Sequence, residues 1–155
     1  MEKPVWYYAA PELDEGLTSV IVALGNPAVW GWVGIAAVAA SLWLGVRGRD
    51  RRILFIAAAL ASVYVPWVLV PRLTFLYHFF AAVPFMILCI TYVVMRFLES
   101  PRVSPAWKRR GRTAAIAYMA MVLILFAMFY PILSGAVVDR DYVETFLKWK
   151  DSWVF

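Results

Sequence analysis

Cysteine and histidine occur once each in this chain, as Cys89 and His78. A single cysteine excludes an intrachain disulfide, and one histidine leaves no Cys/His metal spacing, so neither a metal nor a cofactor is expected. Charge is also scarce, at 16% of residues against 64% apolar, where a soluble domain is roughly half apolar. Mean hydropathy is +0.73. The few polar residues are bunched between apolar stretches and could not cover a soluble surface, which makes lipid the natural solvent. No carboxylate falls inside a long apolar run, so nothing within the membrane can serve as a general base. The start of the chain sets Glu2, Glu12, Asp14 and Glu15 against Lys3 and lacks the basic-then-apolar order of a secretory signal. The net charge of +5 does not indicate nucleic acid, because the bases sit in short blocks beside apolar runs, as orientation determinants do.

What is present is a series of four apolar stretches, at about 27–46, 53–70, 74–98 and 113–134. The expected fold is therefore all-α: a polytopic bundle of four transmembrane helices, flanked by an interfacial segment 1–26 and an aromatic, charged tail 135–155. Asn26-Pro27 opens the first stretch, since asparagine caps a helix and proline fits its first turn. Gly31 and Gly34, with several alanines, make one side of that helix thin, suited to close approach by a partner helix. The second stretch closes with Pro66 and Pro71, which predicts a broken exit. Pro84 inside the third predicts a kink.

Orientation follows from the bases. The connector after the first helix holds Arg47, Arg49, Arg51 and Arg52, and the one after the third holds Arg102, Lys108, Arg109, Arg110 and Arg112. The turn between the second and third has only Arg72. The positive-inside rule then puts both basic connectors in the cytoplasm and both termini on the non-cytoplasmic side. Trp6, Tyr7, Tyr8, Trp149 and Trp153 suit an aromatic belt at the outer interface.

The stretch from Tyr64 to Phe80 gathers Trp67, Arg72, Tyr77 and His78 at that outer edge. An arginine there can bind a lipid phosphate in bidentate fashion, and a histidine beside it can donate to the same phosphate or shuttle a proton. The plainer alternatives are an Arg72 that snorkels to the headgroups, an interfacial His78 with a satisfied ring, and a Tyr77 that belongs to the belt.

Pro66-Trp67, Arg72, Phe75 and Tyr77-His78 resemble the end of the protein O-mannosyltransferases and their bacterial relatives, membrane glycosyltransferases of the GT-C type. Near the start, Lys3-Pro4-Val5-Trp6-Tyr7-Tyr8 and Gly25-Asn26-Pro27-Ala28-Val29-Trp30 are similar to the opening of that family's C-terminal four-helix region. Leu133-Ser134-Gly135 and Phe146-Leu147-Lys148-Trp149 resemble its last helix and tail. The resemblance implies mannosyl transfer from a polyprenyl-phosphate carrier to a protein hydroxyl, on the outer face of a bacterial or archaeal plasma membrane. It makes the lipid-linked sugar a donor substrate, and it makes Arg72, His78, Tyr77 and Trp67 candidates for the cavity that holds it. The family's catalytic acidic pair lies in the first outer loop of a much longer polypeptide. Asp14-Glu15 precede the first helix here and cannot take that role. The expected partners are the bilayer, the polyprenyl-phosphate sugar and a catalytic membrane chain or N-terminal half. Two other readings remain at this point: a non-catalytic assembly subunit, and a small four-helix transporter.

Overall fold

The computed structural model describes residues 5–9, by their backbone alone, together with 16–69 and 80–149. Arg72, Tyr77, His78, Trp153 and the Asp14-Glu15 pair lie outside the described residues. In chain order the elements are β1 (Val5–Ala9), β2 (Leu17–Thr18), β3 (Val20–Ala23), α1 (Pro27–Trp30) and α2 (Trp32–Gly48). They continue with α3 (Arg51–Leu69), α4 (Val83–Glu99), α5 (Pro105–Ser134), β4 (Val138–Asp139) and α6 (Arg140–Tyr142), which runs into a π-helical turn over Val143–Leu147.

Three of the helical stretches, Arg51–Leu69, Phe80–Glu99 and Pro105–Ser134, are long and apolar enough to cross a membrane. The fourth, α2, is apolar over 17 residues, about 26 Å of helix. In the three long stretches only 11%, 17% and 11% of the apolar window is buried. Their side chains therefore face lipid or other protein rather than a core of their own, and Phe55, Leu69 and Ile116 are among the most exposed.

The helix boundaries differ from the sequence expectation in ways that have local causes. Asn26 caps α1 as anticipated, its Oδ1 accepting the Ala28 N–H at 3.0 Å. The helix then breaks after one turn at Gly31, whose backbone is extended (φ −78°, ψ −162°) and whose N–H closes on the Pro27 carbonyl. A Cβ at Gly31 would run into that carbonyl oxygen, so the single expected helix is two. The kink expected at Pro84 is absent, because α4 starts at Val83 after a short 3₁₀ turn and Pro84 falls in its first turn, where its missing N–H costs nothing. Of the two prolines expected to break the exit of the second stretch, Pro66 does not end the helix, since α3 continues through it to Leu69, and Pro71 lies outside the described residues. Finally, α5 begins at Pro105 rather than 113. Its first two turns are basic and extend a 30-residue helix, about 45 Å long, beyond the hydrocarbon layer.

The terminal segments, read from sequence as plain interfacial stretches, contain strands. β1 pairs antiparallel with β3, with Val5 opposite Ala23 and Ala9 opposite Val20. β2 pairs with β4, with Leu17 opposite Asp139 and Thr18 opposite Val138. The Arg140 N–H donates to the Gly16 carbonyl at 2.8 Å, and Ser19 Oγ donates to the Gly135 carbonyl at 2.8 Å. Gly135 ends α5 in the left-handed region (φ 76°), as a glycine C′ residue does. The best-buried cluster of the described chain lies here: Val20 and Val22 of β3, Phe129 and Ile132 of α5, and Val143 and Leu147 of the tail.

The opposite end of the bundle is held differently. α2 packs against both α3 and α4, and Ser41 Oγ, fully buried, donates to the Cys89 carbonyl at 3.0 Å. Gly45 is the closest approach of α2 to α3, since a Cβ there would stand 2.5 Å from Ile53 Cγ2. Arg49 occupies the left-handed position that ends α2 (φ 49°, ψ 36°). Asp50 then caps α3, with Oδ1 accepting the Arg52 N–H at 3.1 Å, and its Oδ2 accepts the Tyr92 hydroxyl of α4 at 3.1 Å. At the same end, Arg47 stacks on Trp43 at 5.5 Å and Arg110 on Trp107 at 4.9 Å, cation–π contacts between neighbours one helical turn apart.

Candidate functional site: the rim around Trp30

α2 runs from the strand-bearing end to the arginine-rich end, α3 returns, α4 descends again and α5 comes back. The strand-bearing end therefore gathers β1–β4, the tail, α1, the end of α3 and the start of α4. α1 is fixed there by two hydrogen bonds to α5. Asn26 Nδ2 donates to the Val122 carbonyl at 2.9 Å, and the Tyr118 hydroxyl donates to the Ala28 carbonyl at 3.0 Å. One asparagine thus caps its own helix and tethers it to a second. The Trp30 indole lies directly on Gly25, where a Cβ would overlap the ring.

Two grooves meet at Trp30, and both also touch Leu24, Gly25 and Pro27. The first, about 440 Å³, lies between α1, the start of α4 at Phe80, Val83 and Pro84, and α5 at Phe126 and Phe129. The second, about 720 Å³, runs between Gly31, Ile35, Ala39 and Leu42 of α2 and Ala57, Ala61, Tyr64 and Val65 of α3. Met86 of α4 and Trp149 of the tail also line it. Trp149 is held by its own Nε1–H, which donates to the Phe146 carbonyl at 2.9 Å, and by an edge contact to Phe129 at 5.3 Å. No carboxylate, lysine or arginine among the described residues lines either groove. Chemically, the described part of the rim can hold an apolar chain and present an indole and a phenol at its end, but it offers no acid or base.

Of the residues singled out from sequence, Trp67 is half-buried on the last turn of α3, directly after Pro66. Gly31 lines the α2/α3 groove. Gly34 is buried, and a Cβ there would stand 2.8 Å from Met86 Cε, so the helix it approaches is α4 of the same chain. Trp30, Tyr64 and Trp149 are the rim residues that sequence reasoning did not single out as a site. The available signal was the position of Trp30, which follows the Asn26-Pro27 start within a single helical turn and so stands at the head of the first apolar stretch.

The structure so far defines a class, that of an integral membrane protein built on four apolar helices. A family model described as the C-terminal four TMM region of protein-O-mannosyltransferase matches residues 6–153. The chain belongs to that family. Among its relatives, the polyprenol-phosphate-mannose–protein mannosyltransferase of Corynebacterium glutamicum is 28% identical over 156 residues, covering 97% of this chain and 30% of the relative. The protein of that name from Mycolicibacterium smegmatis is 24% identical, over 90% of this chain and 27% of its own length. The one from Mycobacterium tuberculosis is also 24% identical, over 84% and 25%. The chain thus spans under a third of the curated relatives it matches. No solved structure matches it.

Proposed function

We propose that this chain is the C-terminal membrane module of a lipid-linked-sugar protein mannosyltransferase, and that it completes an outer-face cavity together with a catalytic half carrying the acidic residues. The carrying observation is the end-to-end family match over residues 6–153, to relatives named for polyprenol-phosphate-mannose and protein mannosyl transfer. In this reading the strand-bearing end faces outward, and the connectors bearing Arg47–Arg52 and Arg102–Arg112 face the cytoplasm. The reaction breaks the bond between mannose C1 and the carrier phosphate and forms one between C1 and a Ser or Thr oxygen. The hydroxyl proton leaves to a carboxylate of the catalytic half.

Negative charge grows on the departing polyprenyl phosphate as that bond breaks. A cation fixed beside it lowers the barrier, because it interacts more strongly with the transition state than with the bound donor. Arg72 is assigned that role, with His78 as a second donor to phosphate and Tyr77 and Trp67 shaping the cavity wall. The test is transfer of mannose from a polyprenyl-phosphate donor to an acceptor peptide by the chain reconstituted with its catalytic half. Arg72→Ala should lower turnover by about 10²-fold or more while co-purification of the two parts is unchanged. Normal turnover by that variant would reject the phosphate clamp, and unchanged transfer with this whole chain deleted would make it an assembly subunit.

A further inference from the structure

Positive charge is gathered at one end of the bundle. The turn from α2 to α3 carries four arginines from Arg47 to Arg52, and the stretch from Arg96 to Arg112 carries six bases, against two acids, Asp50 and Glu99. Asp50 is already engaged, by the Arg52 N–H and the Tyr92 hydroxyl. Among the described residues none of these ten bases is ion-paired, and all but the half-buried Lys108 are exposed. Cations crowded in this way repel one another unless an anion comes from outside the chain.

The kind of anion follows from composition, surroundings and depth. Nine of the ten bases are arginine, whereas the five bases elsewhere in the chain are three lysines and two arginines. Orienting a helix needs only positive charge, but a guanidinium fork adds paired hydrogen bonds to the oxygens of a phosphate. The bases are also interleaved with exposed apolar side chains: Trp43 (61%) and Val46 (66%) beside Arg47, and Trp107 (56%) under Arg110. A surface both basic and apolar suits the boundary between headgroups and acyl chains, where tryptophan is enriched, rather than a water-soluble acidic protein. Finally, the two sets of bases stand at different depths. Asp50 is level with Tyr92 of α4, while Gly111 of α5 packs against Phe97 and Leu98, which lie about 8 Å further along α4. A headgroup layer is about 5–8 Å thick on each side of a bilayer. One set of bases therefore meets its inner boundary when the other meets its outer one.

We infer that the arginine-rich end is a binding surface for anionic phospholipid headgroups, with their phosphates held between the arginines of the α2–α3 turn and the bases of the α4–α5 corner. The inference does not depend on the mannosyltransferase reading. It gives these arginines a standing occupant in the assembled protein, beyond any part they take in orienting the chain during insertion. A zwitterionic headgroup presents the same phosphate with a compensating ammonium, so it is held less tightly.

The experiment is native mass spectrometry of the full chain in a neutral detergent, titrated with dioleoyl phosphatidylglycerol or with dioleoyl phosphatidylcholine, which share their tails. Phosphatidylglycerol should bind about tenfold or more tighter, and the preference should fall as ammonium acetate is raised. The triple variant Arg109→Gln, Arg110→Gln, Arg112→Gln should reduce the preference to about twofold or less. The double variant Arg51→Gln, Arg52→Gln tests the other set of bases, should weaken the preference about fivefold, and decides the matter if the triple variant fails to fold. Lys148→Gln, at the strand-bearing end, should leave it unchanged. Equal binding of the two lipids overturns the inference, and so does a preference that neither arginine variant lowers. A loss of the same size in Lys148→Gln would reduce the effect to net charge and overturn it as well. Displacement of phosphatidylglycerol by equimolar glycerol phosphate would show a site for a free phosphate ester, and displacement by equimolar hexaglutamate an acidic-protein surface; either overturns the lipid assignment.

Discussion

Asn26 makes two bonds with one side chain, and the two can be separated by substitution. Oδ1 caps α1 through the Ala28 N–H, and Nδ2 reaches the Val122 carbonyl of α5 at 2.9 Å. Loss of an N-cap costs about 1 kcal/mol, and loss of a neutral side chain to backbone hydrogen bond about another. Asn26→Ala should therefore destabilise by ~2 kcal/mol, a melting shift of ~4–8 °C for a domain of this size. Asn26→Ser retains a capping oxygen and loses only the tether, so about half that shift is expected. Asn26→Asp is the decisive variant. As a cap, aspartate equals asparagine, and its charge suits a helix N-terminus. It also places a carboxylate oxygen where Nδ2 stood, acceptor against acceptor at Val122. Capping alone predicts that Asn26→Asp is neutral, whereas capping plus tether predicts that it melts below Asn26→Ser. The assay is thermal unfolding in detergent, followed by the fluorescence of the tryptophans. An Asn26→Asp variant as stable as the parent would refute the tether, and with it the account of how α1 is fixed at the rim.

Gly45→Leu should separate the α2–α3 hairpin, because a side chain there meets Ile53 at 2.5 Å from the first atom. Loss of a protease-resistant core in detergent is the readout, and a fully resistant variant would contradict the close approach. Arg49→Gly should raise the melting temperature by a few degrees, because a non-glycine residue in the left-handed region costs about 1 kcal/mol. Tyr92→Phe removes the hydroxyl that Asp50 accepts and should cost ~1–2 kcal/mol. The loss should disappear in an Asp50→Ala, Tyr92→Phe pair compared with Asp50→Ala alone, because alanine removes the acceptor.

The spans were legible because 3.6-residue periodicity is unnecessary in lipid and apolar length alone decides a crossing. Asn26-Pro27 and Gly135 marked true ends for the same local reasons that caps work anywhere. Proline was read less well. A proline early in an apolar run marks either a kink or a start, and only the turn over 80–82 ahead of α4 decides that Pro84 is a start. The basic stretch Lys108–Arg112 looked like a connector because it is too polar for lipid, yet nothing in it opposes helix once Pro105 has begun one. The strands were missed because each pairs with a distant or very short partner: Leu17–Thr18 has meaning only beside Val138–Asp139. Arg47-Gly48-Arg49 also misleads, since the glycine sits one residue before the left-handed position it would suit.

The two ends of the bundle are stabilised by different means, and the difference bears on function. The arginine-rich end relies on close helix approach at Gly45 and on one acid, Asp50, shared between the α3 cap and Tyr92. Such contacts orient helices in lipid without needing a large core. The strand-bearing end instead buries a cluster drawn from β3, α5 and the tail, segments more than a hundred residues apart at their extremes. A cluster of that kind forms only when both terminal segments are present together, so it makes that end a single rigid piece. Trp30 is held to this piece through Gly25, Asn26 and Tyr118, and Trp149 through Phe129. Side chains locked in this way present a fixed edge to whatever packs against that end of the bundle.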